Sequence, residues 1–246
     1  MRVEYRAVDR DRWPSCVVAA LESPPADVVF DMDGTLLAVD AAEGLMLRLR
    51  AEGRLPAEAR AAAGGDPWEV YEALLARGEV IEAFSLAAYC FAGLTEAQVA
   101  AEVAADFEAG RLPLRDPIVD LARALRGHGH LVWIVTGSPA ALGRAVAARL
   151  GLDPALVVGI ELETGADGRL LAAVRGPVSG GAGKITAMAE RSGRQPLLAV
   201  GDSVFDLPML RAASLGGVLV PPRETPWVAD ARAEGIAVLT PDDLGA

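Results

Sequence analysis

Three short apolar runs constrain the fold of this chain more than any other feature. VVF at 28–30, LVWIV at 131–135 and LLAV at 197–200 are rich in β-branched residues, and each is followed by a polar or glycine-bearing step. Runs at 215–220 and 236–239 read as two further short strands. Between them, segments at about 117–126, 139–150, 182–191 and 207–213 read as helices. Strands that alternate with helices fold as a parallel sheet covered on both faces, so an α/β core is expected. The runs 156–162 and 169–174 flank GADG at 165–168 and read as a hairpin on the edge of that layer.

Residues 38–115 break this rhythm. They contain no convincing strand, and WEVYEALLARG and EVIEAFSLAAYCFAG place apolar residues at helical spacing, so a helical insertion is expected between the first strand and the rest of the sheet. Residues 1–26 read as an extension with one short helix near 13–21, ended by Pro24-Pro25. With 246 residues, 52 % of them hydrophobic and 23 % charged, the chain can bury a large core. A formal net charge of −11 with scattered arginines argues against a nucleic-acid partner. No apolar stretch reaches membrane-spanning length, and the charged start MRVEYRAVDRDRWPS lacks the apolar run of a signal peptide. Cys16 and Cys90 stand far apart without CxxC or histidine partners, which reads as reduced thiols in a cytoplasmic protein.

The candidate chemistry sits at strand ends. In an open α/β sheet ligands bind beyond the carboxyl ends of the strands. Asp31 and Asp33 follow the first strand, Thr136 and Gly137 end the second in WIVTGSP, and Asp202 and Asp206 follow the third in AVGDSVFDLP. Lys184, in GGAGK, opens a predicted helix. Carboxylates converging in one cleft repel one another unless a cation lies among them. Oxygen-only ligation without nearby His or Cys suits Mg²⁺. A metal-neutralised pocket flanked by lysine suits a phosphoryl group.

Plainer readings exist for each residue. Asp31 and Asp33 could form an Asx-type turn with Gly34, and Asp202 a turn of its own. Asp206 could cap the helix beginning at Leu207, Thr136 and Gly137 could simply end a strand, and Lys184 could be a solvated surface residue. GPVSGGAGKIT is no P-loop, because that pattern needs Gly at 178 and Ser or Thr at 185, where Val178 and Ile185 stand. His128 and His130 precede a strand at the amino end of the sheet, so the HxH reads as exposed loop histidines and not as a metal site.

DMDGT at 31–35, the strand ending in Thr136, the isolated Lys184 and GDSVFD at 201–206 resemble, in order and spacing, the four motifs of the haloacid dehalogenase superfamily. The insertion resembles that superfamily's C1 cap. ELETGADGRL and GDSVFDLPML are most similar to the phosphoserine phosphatase-like branch, which includes phosphorylcholine phosphatase-like members, although TGSP stands where phosphoserine phosphatases usually carry SGG. The resemblance implies a Rossmann-like three-layer α/β core over 27–37 and 116–246, with a helical cap over 38–115. It implies a Mg²⁺-dependent phosphatase of a small phosphorylated metabolite. Asp31 would be the nucleophile forming an aspartyl-phosphate, and Asp33 the general acid and base. Thr136, Gly137 and Lys184 would hold the phosphoryl oxygens. Asp31, the Asp33 carbonyl and Asp202 would ligate the metal, supported by Asp206.

In the insertion, Asp40 and Glu43, with Trp68, Tyr71, Glu72 and Glu82 further on, could meet an amine or quaternary-ammonium leaving group. Trp68 and Tyr71 also have the spacing of residues packed inside a helical unit. A phosphomutase or phosphotransferase would use the same aspartyl-phosphate. A phospho-receiver fits less well, because its paired acids precede a separate acceptor and it lacks a long insertion. A catalytically silent binding protein would be expected to have lost part of the acidic set.

Overall fold

A computed structural model describes residues 10–244. The chain opens with α1 (Ser15–Glu22), β1 (Asp27–Phe30) and five helices: α2 (Ala41–Ala51), α3 (Ala57–Ala63), α4 (Pro67–Ala76), α5 (Val80–Tyr89) and α6 (Glu96–Glu108). It continues through α7 (Asp116–Gly127), β2 (Leu131–Pro139), α8 (Ala140–Leu150), β3 (Val157–Ile160), β4 (Leu162–Thr164) and β5 (Leu170–Val174). The last part is α9 (Ala182–Ser192), β6 (Leu198–Gly201), α10 (Leu207–Ala212), β7 (Gly217–Leu219), α11 (Pro226–Ala233), β8 (Ala237–Val238) and α12 (Pro241–Leu244).

Six strands form one parallel sheet in the order β3-β2-β1-β6-β7-β8. All four residues of β1 are buried, as a central strand covered on both faces requires. The chain runs outward from β1 through β2 to β3, then crosses to β6 on the other side. β1 therefore lies at the topological switch, where a crevice opens beyond the strand ends. Phe30 of β1 is level with Ile134 on one side and Val200 on the other, which brings the ends of β1, β2 and β6 together.

The segment 38–115 holds α2 to α6 and no strand. Its two ends meet as a narrow neck: Leu37 pairs with Leu114, and the Ala38 N–H donates to the Pro113 carbonyl at 2.8 Å. Polar caps set the helix starts. Asp40 accepts from the Glu43 N–H, Asp66 from Trp68 and Glu69 ahead of Pro67, and Thr95 with Gln98 forms a capping box. The helix α6 then packs on α8 of the sheet layer. α1 buries Val17, Ala20 and Leu21 against α7 and the sheet.

Two expectations need correction. The run 156–162 divides: β3 joins the main sheet beside β2, and only β4 pairs with β5, as a separate two-stranded hairpin. That hairpin docks on the helical segment, where the Gly93 N–H donates to the Leu170 carbonyl at 2.7 Å and the Leu170 N–H to the Leu94 carbonyl at 2.8 Å. His130 is no exposed loop residue; it is 3 % exposed, and its Nδ1 accepts the Ala26 N–H at 3.2 Å. Only His128 of the pair is exposed. Among the described residues no helix is long and apolar enough to cross a membrane. The expectation of an extension over residues 1–26 falls partly outside the described residues.

Candidate active site

The loop after β1 is set by backbone bonds. The Asp31 N–H donates to the Val200 carbonyl at 2.8 Å, holding Asp31 beside β6 beyond the last paired residue. The Met32 carbonyl then accepts from Thr35, Leu36 and Leu37, so the chain turns tightly through Asp33 and Gly34. Gly34 has φ +74°, and a Cβ there would lie 2.2 Å from Asp202 Oδ2. Only glycine meets both demands. Thr35 Oγ1 donates to Asp202 Oδ1 at 3.3 Å, tying the first acidic loop to the one after β6.

Lys184 lies in the first turn of α9 but is buried, 4 % exposed. Its Nζ donates to Asp31 Oδ1 and to Asp206 Oδ1, at 2.5 Å each. Asp206 is fully buried, and its Oδ2 accepts from the N–H groups of Asp202 and Ser203 and from Ser203 Oγ. Its side chain therefore folds back onto the loop after β6 and makes no capping bond to α10, contrary to the simpler reading of that position. Burial alone would lower the lysine pKa, but the Asp206 and Asp31 carboxylates more than offset this and hold it charged.

Oxygens of Asp31, Asp202 and Asp206 can all lie within 4.8 Å of one another. One ammonium cannot balance so many acids. Burial, together with the charges of Asp206, Asp202 and Asp33, outweighs Lys184 and pushes the Asp31 carboxyl well above the usual range. Burial and the charge of Asp206 push Asp202 up to about 7. An all-oxygen donor set that is short of positive charge fits a hard divalent cation.

Asp33 turns away from that trio. Its Oδ1 accepts the Ala41 N–H at 2.8 Å, while its Oδ2 accepts from Ser138 Oγ at 2.7 Å and Thr136 Oγ1 at 3.1 Å. Burial outweighs these donors and raises its pKa. Thr136 is fully buried with its hydroxyl committed to Asp33, so at the end of β2 it is Gly137 and Ser138 that line the cleft. Ser138 is a partner that sequence reasoning did not single out. Its signal was present, because residues two apart on a strand face the same side and TGS places two hydroxyls at that spacing.

A cleft of about 390 Å³ opens above Asp31, Asp33, Lys184 and Asp202. The helical segment walls it with Asp40, Glu43, Tyr71 and Phe84. Asp40 keeps part of its carboxylate in the α2 cap, and Glu43 Oε1 accepts the Tyr71 hydroxyl at 2.5 Å. Tyr71 is 4 % exposed and lies 5.6 Å from the Trp68 ring, so it serves packing and the cleft wall together. Phe84 of α5 meets Phe205 edge-on at 5.6 Å and rests on Gly137 and Gly180, where an added Cβ would come within 3.0 and 2.9 Å of its ring. Neither Phe84 nor Arg115, which also lines the cleft, carried a sequence signal.

Residues 28–211, well over half of the chain, match the family model for haloacid dehalogenase-like hydrolases. The chain belongs to this family.

Solved structures show the same fold at low identity. A protein of unknown function from Bordetella pertussis Tohama I is 22 % identical, with 88 % of this chain and 99 % of that one covered and a TM-score of 0.67. A probable phosphoserine phosphatase from Vibrio cholerae is 22 % identical over 89 % of this chain and 61 % of that one, with a TM-score of 0.58. A cytosolic 5′-nucleotidase IIIB bound to cytidine is 15 % identical over 93 % of this chain and 87 % of that one, with a TM-score of 0.64. In this haloacid dehalogenase-like hydrolase the matched region spans β1 to α10 and contains Asp31, Asp33, Thr136, Gly137, Lys184, Asp202 and Asp206.

Proposed function

We propose that the chain is a Mg²⁺-dependent phosphatase that transfers the phosphoryl group of a small phosphomonoester first to Asp31 and then to water. The observation that carries this reading is Lys184 Nζ bridging Asp31 and Asp206 at 2.5 Å each, on the floor of a cleft that Asp33 also lines.

Asp31, Asp202 and the Asp33 carbonyl would hold the cation, with Asp206 fixing the loop that carries Asp202. When bound, Mg²⁺ offsets the charge of the phosphoryl oxygens and of the acids around them. Lys184 anchors Asp31 Oδ1, leaving Oδ2 to bond to phosphorus while the bond from phosphorus to the ester oxygen breaks. Asp33, with its raised pKa, donates its proton to the departing alkoxide. It then takes a proton from the water that attacks the aspartyl-phosphate, so Asp31 and inorganic phosphate are both released. Ser138 and Thr136 orient the Asp33 carboxyl, and Gly137 and Ser138 border the phosphoryl position. Residues 38–115 act as a cap: with Phe84 seated on Gly137 and Gly180, they cover the reacting groups and keep bulk water away.

The test is phosphate release from a panel of metabolite phosphates that includes phosphoserine, phosphorylcholine and phosphoethanolamine, with and without chelator. Turnover that stops on chelation and returns with Mg²⁺ is the expected result. Turnover indifferent to chelator would remove the carboxylate metal site from the account.

A further inference from the structure

The cleft is lined by two cations, and they are in opposite situations. Lys184 is paired with two carboxylates. Arg115 forms no ion pair among the described residues, although the same cleft is lined by Asp31, Asp33, Asp202, Asp40 and Glu43. Its side chain makes one long contact, Nη1 to the Val220 carbonyl at 3.4 Å, and its Nε is buried without a hydrogen-bond partner. A guanidinium carries five donors, and a buried donor left unpaired is costly. At the cleft wall this guanidinium has donors that the protein does not bind, so it can meet an acceptor on a ligand.

The backbone of Arg115 is tied to the neck. Its N–H donates to the Leu36 carbonyl at 3.0 Å, beside the bridge between Leu37 and Leu114, at the point where the helical segment returns to the sheet layer. Arg115 thus stands on the neck, its backbone tied to the loop after β1 and its guanidinium near the end of β7, and does not ride on the helices above. The charged groups that those helices turn to the cleft, Asp40 and Glu43, are acidic and repel anions. Arg115 supplies the complementary charge, and its planar fork matches a carboxylate or phosphate with two parallel bonds.

We infer that Arg115 is a specificity residue that binds a second oxyanion, a carboxylate or a second phosphoryl group, on the alcohol half of the substrate. This deepens the phosphatase reading and rests on it. The preferred substrate is then a short phosphomonoester whose alcohol is itself anionic.

Matched esters test this: phosphoglycolate and the bisphosphate of ethane-1,2-diol, each against ethyl phosphate, which lacks the second anion. In the unaltered enzyme kcat/KM favours at least one anionic ester. In Arg115→Gln that preference falls about tenfold or more, chiefly through KM, as expected for loss of a charge-assisted bond, and Arg115→Lys recovers part of it. Which of the two anionic esters responds identifies the oxyanion. A preference absent from the unaltered enzyme, or unchanged in Arg115→Gln, overturns the inference, as does an equal loss on all three esters, which would place Arg115 at the transferred phosphoryl group or at Asp202. Calorimetric titration with glycolate alone, weaker in Arg115→Gln than in the unaltered protein, reads the same contact without turnover. If neither these esters nor the wider metabolite panel releases phosphate, the phosphatase reading fails, and in either case the titration decides for or against an oxyanion site at Arg115.

Discussion

Lys184 has two buried acids at contact distance and almost no solvent, so its charge is as much a part of the fold as of the site. Removing one partner of such a cluster leaves uncompensated charge behind, which costs about 3–5 kcal/mol. Lys184→Met should therefore lose activity and also shift the denaturant midpoint downward, read by chemical unfolding; an unchanged midpoint would show the acids to be neutral without it. Gly34 makes a sharper test of geometry. Gly34→Ala forces a Cβ toward Asp202 Oδ2 at a positive φ, so it should depress turnover with only modest loss of stability, because Gly34 is not part of the packed core. Equal turnover in that variant would mean that the loops after β1 and β6 do not need to meet. The acidic residues were legible in the sequence because their spacing is local: Asp31 and Asp33 share one turn, Asp202 and Asp206 another. Arg115 was not, since one arginine among many declares nothing until the chain folds it against the cleft.

At the scale of elements, the strands and helices of the sheet layer were legible from period and punctuation, because each strand is a short β-branched run ended by a polar step. The run 156–162 was misread for a physical reason. A continuous apolar stretch suits a parallel edge strand and a hairpin arm equally, and the division at Glu161 is decided by β2 lying alongside β3. His130 was misread because polarity was taken as exposure, whereas its ring fills the junction between α1 and the starts of β1 and β2. Burial keeps that imidazole neutral by lowering its pKa below the ordinary value. The unfolded chain takes up a proton as pH falls below about 6.5 while the folded one resists, so this residue contributes stability at neutral pH that is lost on acidification. Melting curves from pH 7.5 to 5.5 should fall less steeply for His130→Gln than for the unaltered protein. Parallel curves would show that the imidazole is not held neutral in the fold.

At the scale of the whole molecule, the sheet order explains why residues as distant as 31, 136, 184 and 202 share one cleft. β1 lies between β2 and β6 at the switch of direction, and the helical segment enters and leaves through one neck beside it. The sequence could reveal the insertion, since five amphipathic helices without a strand stand out against alternating units. It could not reveal how the insertion seats, which depends on Phe84 finding two glycines far away in the chain. All of this architecture serves one event in the account, the passage of a phosphoryl group onto Asp31. Acid-quenching the enzyme during turnover and locating the phosphoryl group by peptide mass spectrometry observes that event directly. An acyl phosphate is expected on the peptide bearing Asp31, absent from Asp31→Asn along with turnover. An unmodified Asp31 during steady turnover, with Asp31→Asn still releasing phosphate as fast as the unaltered enzyme, would contradict it.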